Sequence, residues 1–110
     1  MLEVTGIEAR GHVLDPRSQS ALWRFGRGMF GHTVDFAVVF TAQDEDPRSR
    51  VDARLEYPGK DGARDEVTSS AMIAVGRLNF SFVFEAYGDL KLSLAYRGET
   101  FFEDTIPLQE

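Results

Sequence analysis

Leu78-Asn79-Phe80-Ser81-Phe82-Val83-Phe84-Glu85 places an apolar side chain at every second position, with Asn79, Ser81 and Glu85 between them. Alternation of this kind marks a strand with one buried face and one wet face. The pattern returns from Leu90 to Arg97, where Leu90, Leu92, Leu94 and Tyr96 alternate with Lys91, Ser93 and Arg97, and a third run spans Thr100 to Leu108. Gly88-Asp89 precedes the second run and Arg97-Gly98-Glu99 follows it. Turn residues at those points predict a tight antiparallel meander of three consecutive strands.

Upstream, Thr33 to Ala42 carries Val34, Phe36, Val38 and Phe40 on one face and Asp35, Ala37, Val39 and Thr41 on the other. The second face is half apolar, which predicts a central strand or one covered from outside the domain. Arg50 to Tyr57 alternates Val51, Ala53, Leu55 and Tyr57 with charged residues. The turn Pro58-Gly59-Lys60-Asp61-Gly62 then predicts a hairpin with Ala63 to Ser70, a strand polar enough for a sheet edge. Leu2 to Leu14 spaces its apolar residues irregularly around Gly6 and Gly11, and is expected to be an edge strand bulged at a glycine. Pro107 fits only an edge or a strand terminus.

These runs predict a single all-β domain over residues 1–110, an antiparallel β-sandwich of six to eight strands, with a small closed β-barrel as the alternative. Its inner faces are expected from Val34, Phe36, Val38, Phe40, Val51, Leu55, Leu78, Phe80, Phe82, Phe84, Leu90, Leu92, Leu94 and Tyr96.

The net charge of −6 is uneven: Met1 to Gly31 holds four arginines against Glu3, Glu8 and Asp15, and the remainder carries −7. An acidic chain of this kind argues against nucleic-acid binding, which draws on Lys and Arg to neutralise phosphates. Without cysteine there is no disulfide or thiolate chemistry. No run approaches the roughly 20 apolar residues of a membrane span, and the first residues lack a signal-peptide pattern, so a cytoplasmic protein with no membrane partner is expected.

Chemistry-bearing patterns are sparse. His12 and His32 lack metal-ligand spacing, no nucleophile elbow is present, and Asp44-Glu45-Asp46 lacks the spacing of a calcium loop. No catalytic residue, metal or cofactor is therefore expected. The segment Ala21 to His32 stands apart, with the only tryptophan, further aromatics, glycines and arginines. Trp23, Arg24, Phe25, Arg27, Met29, Phe30 and His32 combine residue types enriched at interface hot spots and form the candidate partner-binding set. The competing reading has Trp23, Phe25 and Phe30 plugging one end of the core.

Leu78 to Glu85, Gly88-Asp89, Leu90 to Tyr96, Gly98-Glu99 and Ile106-Pro107-Leu108 together resemble an immunoglobulin-like module of small, uncharacterised bacterial proteins. The resemblance covers about half the chain. It implies an immunoglobulin-like sandwich and brings no catalytic residues with it.

The expectation is thus a non-catalytic interaction or assembly module that uses the aromatic segment and a sheet edge to bind a protein partner or itself, as a homodimer. The alternative is a small acidic inhibitor or immunity-type protein, whose carboxylates at Asp44 to Asp46 and Glu99 to Asp104 meet a basic target.

Overall fold

The computed structural model describes residues 2–9, 12–14, 31, 33–86 and 88–108. Among these, eight strands follow in order: β1 (Leu2–Ala9), β2 (His12–Leu14), β3 (Thr33–Ala42), β4 (Arg50–Pro58), β5 (Arg64–Met72), β6 (Arg77–Val83), β7 (Gly88–Tyr96) and β8 (Glu99–Leu108). They form two four-stranded antiparallel sheets, ordered β2-β1-β3-β6 and β5-β4-β7-β8. The sheets do not close into a barrel. Among the described residues no helix is long and apolar enough to cross a membrane.

The strand path is immunoglobulin-like. β1, β3 and β6 make one sheet and β4, β7 and β8 the other, and the extra strand β5 joins beside β4. Alternation drives the assembly: every second residue of β3, β4, β6 and β7 turns inward, and the two inner faces meet as one core. Val34, Val38, Val51, Leu55, Leu90, Leu94 and Phe84 are wholly buried there, and the remaining expected core positions are buried too, except the half-buried Tyr96. β3 runs between β1 and β6, as its half-apolar outer face requires. Ala37 is buried on that outer face because the Arg77–Glu8 ion pair, 2.8 Å, reaches across it between the neighbouring strands.

Two features depart from the sequence reading. The expected meander from Leu78 to Leu108 is only half present: β7 and β8 pair, but β6 pairs with β3 in the opposite sheet. The chain crosses between layers after Val83, and the fully buried Phe84 anchors that crossing in the core. Of the edge strand expected over Leu2 to Leu14, only the short β2 lies at the sheet edge; β1 is interior, between β2 and β3. A bulge between Val4 and Gly6 lets Val4 and Ile7, three apart, both point inward, which accounts for the irregular apolar spacing.

The turns behave as their residues dictate. Arg97 and Gly98 both have positive φ, 52° and 82°, and close a two-residue hairpin between Tyr96 and Glu99. The β4–β5 loop contains a short 3-10 turn at Lys60–Gly62 and is tied by the Gly59 N–H donating to the Ala63 carbonyl at 2.7 Å. A ring contact of 5.0 Å between Tyr57 of β4 and Phe82 of β6 joins the two layers at the end of β6.

Candidate protein-interaction edge

Trp23, Arg24, Phe25, Arg27, Met29, Phe30 and His32 lie outside the described residues. Their flanks are placed. Leu14 pairs with Ile7 on the outer side of β1, and the Gly31 N–H donates to the Phe84 carbonyl at 3.0 Å, where β6 ends.

A sheet edge offers unpaired backbone donors and acceptors, so the four edge strands are the next candidates. Three carry features that discourage pairing. β2 has only three residues. β8 turns the Asp104 carboxylate to the inner side opposite Leu92, is bulged where Phe101 is the extra residue opposite Leu94 and Ala95, and carries Pro107 near its end. Burial pushes the Asp104 carboxyl above its usual value, only partly offset by the hydrogen bond from the Thr105 N–H. An inward carboxylate, a bulge and a proline are the devices that blunt an edge. β5 opens with Arg64, Asp65 and Glu66, and Glu66 is held by Arg54 of β4.

Past its opening residue Arg77, β6 carries none of these. From Leu78 to Val83 it has no charge, proline or bulge, and its inward side chains Leu78, Phe80 and Phe82 are between 1% and 4% exposed. Its backbone polarity follows from one bond: the Phe40 N–H donates to the Gly76 carbonyl at 3.0 Å. Continuing that ladder two residues at a time pairs Val38 with Leu78, Phe36 with Phe80 and Val34 with Phe82. Asn79, Ser81 and Val83 therefore direct their N–H and C=O groups away from β3. Among the described residues no strand pairs with that side of β6.

The wet face beside this edge is ordered. Ser81 Oγ donates to Asp35 at 2.9 Å, and Arg77 bridges Asn79 and Glu8 at 3.2 and 2.8 Å. These groups surround a shallow concavity of about 380 Å³ floored by Ala37.

The acidic loop between β3 and β4 serves its own fold. The Asp46 carboxylate accepts from the Arg48 N–H at 2.9 Å, and Glu45 accepts from the Tyr96 hydroxyl at 2.8 Å. That bond holds the Glu45 carboxyl below its usual value. Among the described residues no three His, Asp or Glu side chains converge as a metal site. Tyr57 is the other perturbed group: its burial, and then the charge and hydrogen bond of Asp65, raise its hydroxyl above the ordinary tyrosine value.

The sequence reading anticipated an exposed edge but did not identify β6 as that edge. The available signal was the absence of any charge or proline between Leu78 and Val83, unlike the runs that became β5 and β8.

No family model matches this chain, and no curated protein matches it.

Proposed function

We propose that this protein is a non-catalytic interaction module that captures a protein partner by adding a strand to a sheet edge, and that β6 is that edge. The observation that carries the reading is the contrast among the four edges. Three have blocking features, while β6 presents Asn79, Ser81 and Val83 with outward backbone groups on a strand whose inward side chains Leu78, Phe80 and Phe82 are already buried. Main-chain bonding supplies affinity in such complexes, and the preformed edge keeps the ordering cost on the incoming segment alone.

The acidic-inhibitor reading draws less support. Glu45 and Asp46 hold their own loop and Asp104 faces inward, which leaves Asp44, Glu99 and Glu103 as outward carboxylates. A charge-steered complex loses association rate steeply as salt rises, whereas strand addition responds weakly.

Ser81→Pro tests the reading. Its missing N–H points away from β3, so the β3–β6 ladder survives while strand addition is blocked. Ser81→Ala is the control, because it removes the bond to Asp35 and keeps the N–H. Complexes recovered with the natural chain and with Ser81→Ala but lost with Ser81→Pro support edge capture. Complexes that persist with folded Ser81→Pro contradict it.

A further inference from the structure

The outward backbone groups of β6 form a set with its own symmetry. Asn79, Ser81 and Val83 belong to it, and the same alternation assigns Arg77 to it at one end. At the other end the Gly31 N–H donates to the Phe84 carbonyl, so Phe84 faces as Leu78, Phe80 and Phe82 do, and Glu85 follows on the outward side with its side chain exposed. Ser81 stands at the centre, with Arg77 and Glu85 four residues to either side. Between those two opposite charges the edge is neutral.

A strand arranged in this way is complementary to itself. In an antiparallel pair related by a two-fold axis, outward residues that stand opposite each other exchange both backbone bonds. With the axis at Ser81, Ser81 meets its own copy, Asn79 meets Val83 of the second copy, and Arg77 meets Glu85 of the second copy at both ends. Arg77 holds Glu8 through Nη2 and Asn79 through Nε, which leaves Nη1 for the new carboxylate. The pairing also covers part of Val83, which is 39% exposed in the free chain. Charge selects the register. Moving the axis by one residue sets Arg77 opposite Val83, or in the other direction Glu85 opposite Asn79, and either slip loses both opposite-charge pairs.

The other layer carries no charge that opposes this approach. β5 runs close beside β6 on the same side of the sandwich, joined to it by the short link 73–76. Counting back from that link brings Thr68 level with Ser81, and Val67 to Ala71 is uncharged. The two copies of β5 therefore meet near the axis without like charges. We infer that the partner captured by β6 is a second copy of this chain, joined antiparallel through a two-fold axis at Ser81, so that two sheets of order β2-β1-β3-β6 become one of eight strands. This rests on edge capture at β6 as the function. A single pair of strand edges makes a small contact, of the class below about 1,200 Å², so the dimer parts on dilution and the free chain keeps β6 open.

Sedimentation equilibrium of the full chain over a range of concentrations reads the association, with the folding of each variant checked by circular dichroism. The natural chain is expected to pass from monomer to dimer, and Ser81→Pro to raise the dissociation constant by about tenfold or more. Arg77→Glu and Glu85→Arg each set like charges opposite one another and should weaken association severalfold. An equimolar mixture of these two variants should regain it, because each chain supplies the charge the other needs. A chain that stays monomeric up to about 1 mM overturns the second copy as partner and leaves edge capture of another protein standing, which the loss of such complexes with Ser81→Pro tests separately. A dimer that persists in folded Ser81→Pro lies on another surface and overturns the inference. Charge variants that do not regain the dimer on mixing overturn the axis at Ser81.

Discussion

Phe84→Ala is expected to destabilise the protein by about 3 to 5 kcal/mol, the range for emptying a buried phenylalanine site. Phe84 is 0% exposed although it lies beyond the end of β6, on the link that carries the chain from one sheet to the other. Its neighbour Val83, the last residue of β6, is 39% exposed on the outer face. Val83→Ala should therefore change stability by about 0.5 kcal/mol or less. Phe84→Leu keeps most of the volume and should cost about 1 kcal/mol. Urea unfolding followed by tryptophan fluorescence and by circular dichroism measures all three, with the stability read from midpoints at an unchanged m-value. The contrast depends on the crossing. Had β6 and β7 formed a hairpin, Phe84 would sit in its exposed turn and the two alanine variants would behave alike. A Phe84→Ala cost below about 1 kcal/mol refutes the crossing as described.

Further outcomes follow from single contacts. The raised Asp104 carboxyl holds its proton more tightly folded than unfolded, so its ionisation costs stability as pH rises from the unfolded value through the folded one. Asp104→Asn should accordingly raise the urea midpoint at pH 7, with the gain fading in acid below the ordinary aspartate range of roughly 4. Asp104→Val removes the inward charge from β8 and should increase light scattering on heating, through newly permitted edge pairing. Tyr96→Phe removes the hydroxyl that bonds Glu45, and the Glu45 carboxyl, followed by NMR titration, should move up toward its ordinary value. Gly59→Ala brings a Cβ within 2.8 Å of the Ala63 carbonyl oxygen, so the β4–β5 loop must shift, at a cost of about 1 to 3 kcal/mol in chemical denaturation.

Most of the core was legible because alternation is a local signal. A residue such as Leu92 or Phe36 declares its inward face by its neighbours, and the structure buries both. Sheet membership was not legible in the same way. The run ending at Phe84 and the strand beginning at Gly88 are separated by Glu85-Ala86-Tyr87, short enough for a hairpin, and only the pairing of β6 with β3 shows that the chain changes layer. The amino-terminal strand was obscured by its bulge, which breaks the two-residue period at Thr5. Edge protection required the register: Asp104 reads as one more surface acid until its pairing opposite Leu92 turns it inward. The candidate site divides along the same line. The composition of Trp23 to His32 suggested an interface, whereas the openness of β6 depends on which strands flank it, a property of the assembled sheets.

The most direct measurement of the central claim is amide hydrogen exchange along β6 in the free protein. An open edge predicts slow exchange at Leu78, Phe80 and Phe82, whose N–H groups face β3, and much faster exchange at Asn79, Ser81 and Val83, which face outward. Equal protection at all six amides would contradict it, because the edge would already be paired.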